Sequence, residues 1–182
     1  MKALLLALAL ALAGSAPASE PTHQDAKPLA QAQAAVDKGQ WLEARRRLQP
    51  LAAKGNPVAM WALARLLELP TPARDLKLAL HWYTRLAEQG APDAMEAVGL
   101  AYFLGRGVPE DLSLAAEWFR RAGNAGAVGS QFILASLYEK GQGVPQDLRL
   151  ARSWYERAAA QGDEAAKAKL QLLPQEPLTT PL

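Results

Sequence analysis

Gly105–Phe119 reads GRGVPEDLSLAAEWF and Gly141–Tyr155 reads GQGVPQDLRLARSWY, nearly the same text 36 residues later. The step continues outward from this pair. Trp82-Tyr83, Trp118-Phe119 and Trp154-Tyr155 keep it, as do Asp75, Asp111 and Asp147, Gly90, Gly126 and Gly162, and Ala79, Ala115 and Ala151. Independent positions locked to one period of this length are the signature of a structural repeat.

Each unit reads as two helices. In the third, a first helix (A) is expected from near Ala91 to about Leu104, with Ala94, Ala97, Val98, Ala101 and Tyr102 on one face. Ser130, Ile133, Leu134, Leu137 and Tyr138 repeat that spacing in the fourth unit, and Ala59, Ala62, Leu63, Leu66 and Leu67 repeat it in the second. The spacing is helical, with no competing strand-like alternation. The second helix (B) places Ala115, Trp118, Phe119 and Ala122 on one face.

The recurring turn has physical reasons. Gly105 and Gly107 stop helix A, because glycine enters the left-handed region at little steric cost. Val108-Pro109 prevents continuation, since the residue before proline is driven out of the α region. Asp111 then stands at the N-cap of helix B, where its carboxylate accepts from first-turn amides and suits the positive end of the helix dipole; such a cap is worth ~1 kcal/mol. Ala115 allows close approach, Trp118 and Phe119 fill space between helices, and Gly126 ends helix B. One hairpin cannot bury both sides of its helices, but stacked hairpins can.

The 182 residues are half hydrophobic, with few aromatics, no cysteine and a formal charge of +2. Ala and Leu in this abundance favour helix. The charge supplies no field for nucleic acid or an anionic membrane, and the missing thiols exclude disulfides and thiolate metal sites. Residues 1–18 read as an export signal: Lys2, an apolar run Ala3–Ala13, and Ala16-Pro17-Ala18 as the cleavage site. The apolar run would extend only about 16 Å as a helix against a hydrocarbon core of ~30 Å. A soluble, exported protein, placed in a bacterial periplasm, is therefore expected. Residues 19–28 read as a flexible lead-in and 174–182, with three prolines, as a disordered tail.

The expected fold is all-α: an α/α solenoid of about three repeats with a degenerate N-terminal hairpin and a C-terminal capping helix, over 29–173. The units run 29–55, 56–90, 91–126 and 127–162, with the cap at 163–173. The second unit departs at its turn, where Leu69–Leu76 (LPTPARDL) uses prolines in place of glycines. In the first, Ala44 and Leu51 are in register with Ala79 and Leu86, but Arg47 stands where the others have Trp.

The string Gly-x-Gly-Val-Pro-x-Asp, then Ala, Trp-aromatic, Ala and Gly, carried by Gly105–Gly126 and Gly141–Gly162 and by the second unit from Asp75 onward, resembles the Sel-1-like repeat family, relatives of the tetratricopeptide repeat. The resemblance implies an α/α superhelix that binds other proteins and organises complexes. Its bacterial relatives resemble exported adaptors, some of them cysteine-rich and linked to β-lactam chemistry; this chain has no cysteine to match that branch. The motif residues are structural, so the resemblance carries over no catalytic set.

No catalytic, metal or cofactor site is expected from the remaining residues. His81 has no second His or Cys at ligand spacing, and Gly105-x-Gly107 follows a helix and lacks the Lys-Ser/Thr of a phosphate loop. Arg45-Arg46-Arg47 points to different helix faces and reads as a solvated surface. The residues that the core pattern leaves over on helix A are Trp61, Glu96 and Phe132; Arg65, Leu100 and Ser136; and Glu68, Phe103 and Glu139. In tetratricopeptide-like superhelices these positions line the concave surface, so the resemblance implies a binding stripe of Trp61, Leu100, Phe103 and Phe132 with charges between. Aromatic anchors beside polar groups have the composition of a hot spot. The expected function is a scaffold or adaptor for a protein or peptide partner; the alternatives are packing of the stripe by neighbouring units, an envelope enzyme acting on β-lactams or cell-wall fragments, or a scaffold bound to peptidoglycan or polysaccharide.

Overall fold

A computed structural model of the chain describes residues 23–174. The expected export signal and most of the expected tail lie outside the described residues. Nine α-helices make up the described part: α1 (His23–Asp37), α2 (Trp41–Ala53), α3 (Pro57–Glu68), α4 (Leu76–Glu88), α5 (Pro92–Phe103), α6 (Leu112–Asn124), α7 (Val128–Lys140), α8 (Leu148–Ala160) and α9 (Glu164–Leu172). Each packs principally on the helix before and the helix after it, which is the contact pattern of an α/α solenoid. The lead-in differs from its reading: helix already begins at His23, and Asn56 Nδ2 donates to Asp25 at 2.9 Å, tying that turn to the start of α3.

The caps follow the residue types. Asp75, Asp111, Asp147 and Asp163 each accept from a first-turn amide of the following helix, at 2.7–3.0 Å, and Asn56 does the same for α3. Pro57 and Pro92 occupy the first helical positions, where the missing N–H costs nothing. Gly55, Gly90, Gly126 and Gly162 close the B helices at φ +93° to +98°. In each the residue beyond the glycine donates back to the helix, as Ala91 does to the Leu86 carbonyl and Ala127 to that of Ala122.

The turn glycines have a second purpose that local sequence does not display. A Cβ on Gly107 would sit 2.6 Å from the Leu76 carbonyl oxygen, and one on Gly143 would fall on the Leu112 carbonyl. Gly105 and Gly141 shape the turn, whereas Gly107 and Gly143 let it touch the first turn of the preceding unit's B helix, where Ser113 Oγ also donates to the Gly143 carbonyl at 2.9 Å.

The A helices are buried on two sides rather than one. Besides the expected face, Met60, Ala64, Met95, Gly99, Gln131 and Ala135 are buried, because each A helix lies between its own B helix and the one before. Tyr83, Phe119 and Tyr155 are the large side chains at the centre of each hairpin; Phe119 lies directly over Gly99. Trp118, expected as filler, is only half-buried and carries the Arg121 guanidinium 4.1 Å above its ring; Arg85 on Trp82 and Arg157 on Trp154 repeat this at 5.4 and 4.2 Å. Arg157 also donates to the Gly123 carbonyl and to Asn124 Oδ1, tying the fourth unit to the third.

Both ends turn polar. On α9 the positions in register with Gln131 and Ala135 are Lys167 and Gln171, both exposed. Arg152 donates to the Leu173 and Pro174 carbonyls and fastens the end of α9. On α2, Arg47 takes the Trp position but pairs with Glu43 at 2.7 Å and donates to Gln31 at 2.6 Å. Arg46 pairs with the same Glu43 and Arg45 reaches Asp75 at 3.5 Å, so each arginine of the basic run has a partner within the protein.

Candidate groove on the A-helix flank

Five of the nine stripe residues meet in one place. Trp61, Arg65 and Glu68 of α3 face Glu96 and Leu100 of α5 across a depression of about 260 Å³, walled also by Ala97, Ala101 and Tyr83 and rimmed by Asp93 and Arg106. Phe103, Phe132, Ser136 and Glu139 stand on the same helix faces, farther along the array. None of the nine is fully buried, and Trp61, Leu100, Phe103 and Phe132 lie partly buried against the core.

Each stripe aromatic rests on an aromatic of its own B helix. Trp61 meets Tyr83 edge-on with centroids 5.4 Å apart, Phe103 meets Phe119 at 6.1 Å and Phe132 meets Tyr155 at 5.3 Å. Edge-to-face pairing at these separations is favourable beyond area burial and fixes ring orientation. The rings are therefore half-exposed and held in place, which lowers the entropy lost when a partner covers them.

The last helix-A position forms a coupled pair. Tyr83 Oη donates to Glu68 at 2.8 Å and Tyr155 Oη to Glu139 at 2.7 Å, whereas in the middle unit both positions are phenylalanine, Phe103 and Phe119. Burial, reinforced by the Glu68 carboxylate, pushes the Tyr83 phenol well above its ordinary range, and burial with Glu139 does the same to Tyr155. Both phenols stay protonated donors. Ser136 lies beside the Tyr155 phenol.

Glu139 and Glu96 prove to be links between units as well as stripe residues. Lys169 of α9 reaches both Glu139 oxygens at 2.9 and 3.0 Å. Glu96 accepts from Ser130 Oγ at 2.7 Å in the first turn of α7, a helix with no side-chain cap of its own. Burial pushes the Glu139 carboxyl up, but the donors Tyr155 and Lys169 outweigh it and hold it below its ordinary 4.5. A carboxyl with a depressed folded value stabilises the fold above its unfolded value and loses that contribution as pH falls through the folded one. The α9 cap is thus expected to loosen below about pH 4.5, seen as faster amide exchange in α9 than in α5. In Glu139→Gln that acid-induced step disappears.

Leu172, exposed to 79%, continues the row of Arg65, Leu100 and Ser136 by the same step and had been hidden by its place in the cap. Arg106 and Asp93 were also missed. They lie at a turn and at a helix start, outside the A-helix face on which the stripe was sought. His81 is exposed and packs edge-on to Trp82, and no cluster of three metal-ligating side chains occurs among the described residues. No helix among them is long and apolar enough to cross a membrane.

A family model for the Sel1 repeat matches residues 57–90, 92–126 and 128–163. The chain belongs to the Sel1 repeat family. Among solved structures, a Sel1 repeat protein from Oxalobacter formigenes is 36% identical with a TM-score of 0.65, over 72% of this chain and 38% of that one. The protein c5321, a protective antigen of uropathogenic Escherichia coli strains with an SLR fold, is 27% identical with a TM-score of 0.66, over 94% of this chain and 32% of that one. The chain thus spans less than two fifths of the length of either. Helicobacter pylori cysteine-rich protein B matches 72% of this chain and 95% of its own at 18% identity and a TM-score of 0.56, a likeness of fold alone. A comparison with curated proteins gives no match. Sel1 repeats generally form scaffolds for protein–protein interaction and are typically not catalysts. The matched segments coincide with the three hairpins α3–α4, α5–α6 and α7–α8, which leaves α1–α2 and α9 as the divergent ends.

Proposed function

We propose that this Sel1 repeat protein is a non-enzymatic adaptor, exported to the periplasm, that captures a partner protein or peptide along its A-helix groove. The observation that carries this reading is the row of half-exposed rings, Trp61, Phe103 and Phe132, each propped edge-on by a buried ring behind it. Rigid aromatic anchors beside charged side chains are the recurrent composition of binding hot spots. The reading of residues 1–18 as an export signal supports the location.

Trp61→Ala combined with Phe132→Ala is expected to reduce capture of crosslinked partners from cells at least about tenfold, as loss of two anchor side chains should. Helical circular dichroism is expected to persist, because the buried Tyr83 and Tyr155 remain. Undiminished capture by the double variant sinks the assignment of the groove. Export is tested separately, by whether the mature protein begins at Ser19.

A further inference from the structure

We infer that the depression between α3 and α5 takes an acidic side chain of an extended peptide segment, with an apolar neighbour of that residue seated against Trp61 and Leu100. The inference rests on the groove reading and adds the chemistry of the occupant. Its basis is an imbalance of hydrogen-bonding partners around the depression.

Three carboxylates and two guanidinium groups surround it. The carboxylates already have company. Glu68 accepts from the Tyr83 phenol at 2.8 Å and lies 4.0 Å from Arg65. Glu96 accepts from Ser130 in the first turn of α7, near the positive end of that helix. Asp93 is in the first turn of α5 and is itself engaged. Arg106 differs. It sits on the turn after α5, anchored by its backbone N–H to the Ala101 carbonyl at 2.8 Å, and its guanidinium has no side-chain partner among the described residues. Arg65 is exposed and shares its company with Glu68, 4.0 Å away, and the Tyr83 phenol, which leaves Arg106 as the unpaired guanidinium of the two.

A segment laid over the depression strips water from all five groups. The carboxylates keep their donors, but Arg106 would be left covered and unpaired unless the segment itself brings an acceptor. A carboxylate is the acceptor that matches a guanidinium best, through paired N–H···O bonds. A basic segment would instead place like charge beside Arg106 and Arg65. The apolar wall formed by Trp61, Ala97 and Leu100 accounts for the neighbouring apolar side chain.

The test uses three short blocked peptides that alternate Leu with Glu, with Gln or with Lys, and fluorescence anisotropy with the whole protein. The Glu peptide is expected to bind about tenfold tighter than the Gln peptide, the difference one charge-assisted pair makes, and the Lys peptide most weakly. Arg106→Gln is expected to erase the Glu–Gln difference while leaving helical circular dichroism unchanged; Arg106→Lys restores part of it. Equal binding of Glu and Gln peptides, both lost in the Trp61→Ala, Phe132→Ala variant, leaves the groove reading standing and overturns the acidic occupant. Tighter binding of the Lys peptide overturns it too, since the three carboxylates would then dominate. Absence of binding by the Glu peptide at millimolar concentration also overturns it, with the groove reading then judged by crosslinking in cells.

Discussion

Gly143→Ala is expected to lower the melting temperature by about 10 °C, whereas Gly126→Ala lowers it by only a few degrees. Both glycines have positive φ, +70° and +98° respectively. Any side chain there meets the left-handed cost of ~1–2 kcal/mol. The environments differ. Around Gly126 nothing lies within 4 Å of an added Cβ, so the conformational cost is all there is. At Gly143 the new atom would collide with the Leu112 carbonyl, which belongs to backbone at the start of α6 and cannot rotate aside. Either the turn lifts off the preceding unit or α6 shifts, at a further cost of roughly 1–3 kcal/mol. Thermal melts followed by circular dichroism separate the two. Amide exchange should show the third and fourth hairpins parting before either unfolds internally. Equal and small shifts in both variants would mean that Gly143 is only a turn residue.

Phe119→Ala is expected to cost about 3–5 kcal/mol, in the range seen for emptied aromatic sites. Its ring is fully buried and stands over Gly99, where an added Cβ would come within 2.8 Å of two ring carbons. Gly99→Ala alone should therefore destabilise by about 1–3 kcal/mol through overpacking. In a Phe119→Leu background the same alanine finds space, and its cost should fall by ~1 kcal/mol or more, the size of coupling expected of residues in contact. Denaturant unfolding of the two single variants and the pair measures this directly. Strict additivity would show that the ring and the glycine do not determine each other.

Much of the architecture was legible because the period repeats the same physics at each step. The Asp caps, the glycine turns and the helix-B faces all agree with one another, and the structure keeps them. The second buried side of the A helices was not legible. Met60, Met95 and Gln131 look like interruptions of an amphipathic pattern, and a helix enclosed on two sides has no clean polar face to reveal its orientation. The contact of Gly107 with Leu76 joins residues of successive units, so the left-handed turn alone appeared sufficient explanation. Helix also reaches back to His23, where a polar, proline-containing stretch looked like loose chain; the link from Asn56 to Asp25 is tertiary and leaves no local mark.

Within the groove, the stripe positions were legible as what the core pattern left over. Their props were not. That Tyr83, Phe119 and Tyr155 stand behind Trp61, Phe103 and Phe132 depends on the angle at which each B helix crosses its A helix. Glu96 and Glu139 looked like charges offered to a partner; the structure shows each already joining its own unit to the next. Arg106 left no mark because its turn is accounted for by Gly105, Gly107, Val108-Pro109 and the Asp111 cap, and only the packing of α5 beside α3 sets it at the depression.

Glu68 with Tyr83, Phe103 with Phe119 and Glu139 with Tyr155 are matched sets, and each set lies wholly inside one hairpin. That arrangement dictates where such a chain tolerates splicing. A crossover inside a hairpin, at the Val-Pro loop, could set a carboxylate against a phenyl ring or leave a buried phenol with nothing to receive its proton. A crossover at Gly90 or Gly126 moves both members of a set together. Exchange at a glycine seam therefore leaves these sets whole and has only the links across it to match, such as Glu96 with Ser130 and Arg157 with Asn124, and a length of whole hairpins is the coin in which this array can grow or shrink.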